Sequence, residues 1–137
     1  MTRGLRNNNP LNIRRIVGTI WQGQLAEQRD KKFVQFKSIE WGIRAACCIL
    51  KTYQRKYQAT CVEDIITRWA PASENDTRKY VETVCRLTGF GGKERLEESQ
   101  LPALVYAMAF VECGAPISKE TISKAYSLYV KLKSNSK

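Results

Sequence analysis

The sequence predicts a mainly α domain with one small β-hairpin, and three observations carry that expectation. From Ser38 onward, apolar residues recur at helical spacing. Before that point lie two short, β-prone, roughly alternating stretches, GTIWQGQ (18–24) and KKFVQF (31–36). Near the C-terminal end, Leu101 to Val111 is a run of eleven apolar or aromatic residues. A helix that is apolar all round sits at the centre of a domain, so a central buried helix is expected at about 100–113. At 137 residues the chain is one domain, 1–137, large enough to bury an ordinary core.

The elements follow in order. Residues 1–17 read as loop, since asparagine runs favour neither helix nor strand. The two alternating stretches form the hairpin. Ser38 can cap a helix through EWGIRAACCILKTYQRKY, with Trp41, Ala45, Cys48, Ile49 and Tyr53 on one stripe. Thr60 and Glu63 have capping-box spacing for a short helix, VEDIITRW, which Pro71 ends. Ser73 or Asn75 starts the next, in which Tyr80, Val81, Val84 and Leu87 recur before Gly89. GFGGKERLEES is a charged, glycine-rich connection. Ser99 caps LPALVYAMAFVE, with Pro102 near the start where proline is tolerated, and Gly114 ends it. Ser118 caps a last amphipathic helix through about Lys133.

Composition narrows the chemistry. The chain has no histidine, which removes Ser/His and Cys/His nucleophilic catalysis in their usual forms. Cys47, Cys48, Cys61, Cys85 and Cys113 form no CxxC pair, so no metal and no cofactor is expected, and the thiols read as reduced and buried. Acid–base work falls to carboxylates, lysine or tyrosine. The net charge of +10 is uneven: residues 1–38 carry eight Lys/Arg against two acids. A basic surface favours a polyanion, either nucleic acid or an anionic cell-wall polymer. No apolar run of signal-peptide length follows Met1, Thr2, Arg3 and Gly4, and no stretch reaches the length of a membrane span. The expectation is synthesis in the cytoplasm, no membrane insertion, and a monomer.

Glu112 is the one charge on the apolar helix, and it shares a stripe with Met108, Val105 and Leu104. Apolar surroundings and the negative end of the helix dipole would both raise its pKa. A carboxyl protonated near neutral pH is what a general acid needs to protonate a leaving oxygen. Spacing alone leaves a second reading open, in which the helix frays at Gly114 and Glu112 points to water.

A resemblance sharpens the choice. RGLRNNNPLNIR (3–14), Trp21 with Gly23, FVQF (33–36) and WGIRA (41–45) come in the order seen in a family of small phage and prophage proteins. Those proteins open RGIRNNNPGNIR and are often labelled virion structural proteins. IITRWAPASENDTRKYVETV (65–84) resembles their RWAPPxENxTxxYI segment, so the likeness spans residues 3–118. LPALVYAMAFVECG (101–114) is also similar to the LxxAIxxxESG helix that carries the catalytic glutamate in murein hydrolases of the glucosaminidase and lytic-transglycosylase kind. There that helix comes first; here it comes last, as in a circular permutation, which a chain with adjacent termini tolerates. The resemblance implies a lysozyme-like fold, possible permutation included, with Glu112 as general acid. It also marks one departure. The family has glycine where this chain has Leu11, and leucine would be strained if that position needs φ > 0.

The remaining site candidates follow. Lytic transglycosylases need one carboxylic acid, because the sugar's own 6-hydroxyl attacks; hydrolysis needs a second carboxylate. Asp30 and Glu27 are the only acids in the first 38 residues, and Asp30 is taken as the second catalytic candidate against a solvated turn. Asn8, Asn9 and Asn12 offer donors and acceptors to sugar hydroxyls and N-acetyl groups, or simply close turns. Trp21, Trp69 and Tyr80 could stack on sugars; Trp41 reads as core. Asn75 is either a glycan contact or an N-cap. Arg6, Arg14 and Arg15 either hold an anionic polymer or solubilise the surface.

Three functions fit. The first is an enzyme cleaving the β-1,4 bond between N-acetylmuramic acid and N-acetylglucosamine in peptidoglycan strands, reaching the wall by release, virion carriage or secretion. The second is a virion or secretion-apparatus component that binds glycan without cleaving it. The third, least favoured, is a basic nucleic-acid-binding module, because the arginines cluster beside a carboxamide loop rather than among exposed aromatics.

Overall fold

The structure, a computed structural model, describes residues 1–132 and is mainly helical. The helices are α1 (Arg3–Arg6), α2 (Ile39–Tyr57), α3 (Val62–Trp69), α4 (Thr77–Thr88), α5 (Leu101–Cys113) and α6 (Lys119–Leu132), with a 3₁₀ turn at Glu98–Gln100 ahead of α5. The apolar run is the centre of the domain: α5 packs against α1, α2, α4 and α6. Its Leu104, Val105, Ala107, Met108 and Ala109 are buried together with Ile43, Ile66, Val84 and Tyr129 from the helices around it.

Short polar residues start these helices by accepting orphan N–H groups. Ser38 Oγ accepts from Trp41 N at 3.4 Å, and Ser118 Oγ from Thr121 N at 3.1 Å. At α4 the cap is Asp76, which accepts from Lys79 N at 3.1 Å, rather than Ser73 or Asn75. Ser99 lies inside the 3₁₀ turn, where Glu97 and Gln100 form the reciprocal capping pair. The Thr60–Glu63 capping box does not form. Thr60 is tied instead to the glycine-rich connection, its carbonyl accepting from Leu96 N at 2.8 Å, while Glu63 N donates to Gly92 O at 3.0 Å. The expected end of the last helix, about Lys133, lies outside the described residues.

The N-terminal third differs from expectation in two ways. Residues 3–6 make one helical turn rather than loop. The hairpin is absent as a pair of strands; among the described residues only two isolated antiparallel bridges form, Arg14↔Phe33 and Gln24↔Phe36. Side chains take over the ladder's hydrogen bonds here. Gln28 Oε1 accepts from Gln35 N at 2.8 Å, and its Nε2 donates to Leu25 O and Gln35 O, each at 2.8 Å. Gln35 Oε1 in turn accepts from Arg29 N at 2.6 Å. Segment 33–36 still forms the middle of this region: Val34 N donates to Ile13 O at 3.0 Å, Leu25 N to Gln35 O at 2.9 Å, and Phe36 N to Asn7 O at 2.9 Å.

Candidate active site

The three consecutive asparagines do three different jobs. Asn9 is fully buried: its Nδ2 donates to Ile13 O (2.9 Å) and Val34 O (2.8 Å), and its Oδ1 accepts from Ile13 N (2.9 Å). Asn7 Nδ2 donates to Asp30 (3.0 Å), and its Oδ1 accepts from Gln35 (3.0 Å). Asn8, at φ 54°, donates from Nδ2 to Phe36 O at 3.1 Å. Its carbonyl lies so close to α2 that a Cβ on Gly42 would stand 2.1 Å away, so glycine is required at position 42. Asn8 and Asn9 therefore hold the loop to the core and are committed to protein partners.

The loop's product is the position of Asn12. The left-handed conformations fall on Asn8 and Asn12, both at φ 54°, a region asparagine visits more readily than other non-glycine residues. Leu11 has no positive φ; its side chain is 0% exposed and belongs to the core. The strain anticipated at Leu11 is thus absent, because the reversal is taken one residue later.

Asn12 meets Glu112. Its Nδ2 donates to Glu112 Oε1 at 3.2 Å and to the Glu112 carbonyl, also at 3.2 Å. Glu112 Oε2 accepts from Trp69 Nε1 at 3.2 Å and from the Tyr80 hydroxyl at 3.0 Å. Loop, α3 and α4 each contribute one donor to a carboxyl delivered by α5. Burial raises the Glu112 pKa; the bonds from Asn12, Tyr80 and Trp69, and the charge of Arg14, pull it back part of the way. The net shift is upward. Burial and the adjacent carboxyl push the Tyr80 phenol well above its ordinary value, so it stays a neutral donor.

Glu112 opens onto a cleft of about 550 Å³. Asn12 and Trp21 from the N-terminal region, Tyr53 and Ile49 from α2, and Trp69 and Asn75 border it. Trp21 borders the cleft but is buried, and Trp69 and Tyr53 stack edge to face with centroids 6.3 Å apart. Asn75 is exposed on the rim, with Nδ2 donating to Pro71 O at 3.2 Å. Tyr80 borders the other side of Glu112.

Asp30 is not part of this assembly. Arg3 grips it with two bonds of 2.7 Å; Asn7 adds a third, and the amides of Lys32 and Phe33, each at 2.9 Å, complete the shell. These partners, Arg3 first, hold its pKa far below the usual carboxylate range. It is an ion-paired staple of the N-terminal region and borders no part of the cleft. Glu27 is exposed and paired with Arg29 at 3.1 Å. The second carboxylate that does border the cleft is Glu74, which the focus on the first 38 residues missed. Its signal was adjacency: it precedes Asn75 in the loop that follows Trp69. Arg14 also borders the cleft, and Arg15 donates to the Asp30 carbonyl at 2.9 Å.

Among the described residues no helix is long and apolar enough to cross a membrane. No group of three or more His, Cys, Asp or Glu among them is placed to hold a metal ion.

No family model matches the chain. It is similar to Protein P5 of Pseudoalteromonas phage PM2, at 42% identity over 127 residues that span 90% of this chain and 79% of that protein.

Proposed function

The chain belongs to the family of this phage Protein P5, and we propose that it is a peptidoglycan-cleaving enzyme acting on the β-1,4 bond between N-acetylmuramic acid and N-acetylglucosamine. The observation that carries the reading is the environment of Glu112: a carboxyl with a raised pKa, fixed by three donors, at the floor of an aromatic-sided cleft. The raised pKa keeps such a group protonated to higher pH than an ordinary glutamate, and in that form it can donate its proton to the leaving glycosidic oxygen. Once the proton is gone, the same three donors stabilise the carboxylate, which can then take a proton from the attacking hydroxyl.

One carboxyl held in this way favours lytic transglycosis, with the muramyl 6-hydroxyl as nucleophile and 1,6-anhydro ends as product. Hydrolysis would draw on a second carboxylate, and Glu74 is the group on the cleft's border for that role. The arrangement of a glutamate helix, a carboxamide loop and a carboxamide rim is consistent with a circularly permuted lysozyme-like domain. Digestion of purified murein by the wild type and by Glu112→Gln tests the proposal: anhydro products from the first and none from the second are expected, and equal products from both would overturn it.

A virion or secretion-apparatus component that binds glycan without cleaving it is the second reading. The exposed Ile16, Val17 and Ile20 on the turn beside the cleft favour it, since such a cluster suits a protein neighbour. Absence of any product from the wild type would leave that reading in place.

A further inference from the structure

The cleft does not end at Glu112. On the far side of the carboxyl a second groove, about 570 Å³, runs between α4 and the C-terminal end of α5, and Asn75 and Glu112 border both spaces. Lys79, Thr83 and Arg86 carry its α4 wall, and Phe110, Val111 and Gly114 its other wall. Steps of four and three residues put the α4 trio on one stripe.

Lys79 and Arg86 are exposed, and among the described residues neither makes a salt bridge. Glu82, one turn from both Lys79 and Arg86, is paired instead with Arg78 at 3.3 Å. Asp76, a further carboxylate on the groove's border, is engaged at the helix start with Lys79 N. The groove therefore offers two cations that take part in no salt bridge among the described residues, next to the proposed reaction centre.

We propose that this groove binds the peptide stem of the murein strand, with Lys79 and Arg86 taking two of its carboxylates. The inference rests on the peptidoglycan reading above and adds a substrate preference to it: peptide-substituted glycan over bare glycan. Seven residues along a helix separate the two cations by roughly 10 Å, which is the span of about three residues of extended peptide. A stem peptide carries free carboxylates at intervals of that order; a neutral sugar carries none. Arginine adds a planar fork suited to two carboxylate oxygens. Phe110, 36% exposed, gives the opposite wall an apolar face for the stem's alanine methyls.

Binding and cleavage separate the two ideas. Cosedimentation of Glu112→Gln with intact murein and with amidase-stripped murein is expected to show about tenfold tighter binding to the intact form. Adding Lys79→Gln and Arg86→Gln should abolish that preference, as should high salt. Equal binding to both glycans, or a preference that survives the added substitutions with thermal melting unchanged, overturns the stem site. Product release by the wild type reads the enzyme separately. A preference without products sinks the cleavage reading and leaves the stem site standing; products without a preference do the reverse.

Discussion

Asn12 and Glu112, 100 residues apart in sequence, meet at 3.2 Å, and the same carboxamide nitrogen also holds the Glu112 carbonyl at 3.2 Å. One side chain thus fixes both the reactive group and the last turn of the helix that carries it. Asn12→Gly keeps a residue content with φ 54° and removes the carboxamide. The expected result is a folded protein that loses about 1–2 kcal/mol and most of its cleavage activity. Urea unfolding and product release from murein check the two halves. Full activity would show that Asn12 matters only to the fold.

The pH dependence follows from the donors. A general acid works while protonated, so activity falls as pH rises through the raised Glu112 pKa. Tyr80→Phe and Trp69→Phe each remove a hydrogen bond to Oε2 that favours the ionised form. Each change should move the alkaline limb of the rate profile to higher pH. A limb that stays in place would mean that another group sets it.

Stability carries the same signature with its own sign. Because the folded-state pKa of Glu112 is raised, its contribution is fully present below the unfolded value and is lost as pH rises through the folded one. Glu112→Gln has no proton to lose. Its melting temperature relative to wild type should therefore climb between mildly acidic and neutral pH, even as cleavage falls by about 10² or more. A difference independent of pH would contradict the upward shift.

Asp30 runs the opposite way. Its pKa is depressed, chiefly by Arg3, so its contribution is present above the ordinary carboxylate value and disappears as pH falls below it. Asp30→Asn should destabilise the fold by about 1–3 kcal/mol at neutral pH and lose that effect in strong acid. The folded fraction should still cleave murein to the same ends, since Asp30 lies away from the cleft.

The contrast between Asp30 and Glu112 shows how far the sequence could be read. Glu112 sits on a local pattern, a lone charge at the end of an eleven-residue apolar run, so spacing marked it as a candidate while leaving open that it pointed to water. Asp30 owes its role to Arg3 and Asn7, 27 and 23 residues away, and nothing in the local pattern announces those partners. The helices were legible for the first reason. Their N-caps were less so, because Asp76 outcompetes Ser73 and Asn75 within one short polar loop. The missing hairpin has the second kind of cause: its alternation is genuine, but Gln28, Gln35 and Asp30 satisfy the backbone that a ladder would have used.

Leu11 gives the last prediction. It occupies the position where the resembling phage sequences carry glycine, and here its side chain is fully buried in the core. The two residues that need positive φ flank it at 8 and 12, so position 11 is free to serve packing rather than the turn. Leu11→Ala should cost about 2–5 kcal/mol by opening a cavity under the asparagine loop. Leu11→Gly should cost about 1 kcal/mol more, since glycine also loses backbone entropy on folding. If glycine instead proved as stable as leucine in denaturant unfolding, the loop would have a second conformation with its reversal at 11. Asn12 would then be displaced from Glu112, and cleavage should fall with it.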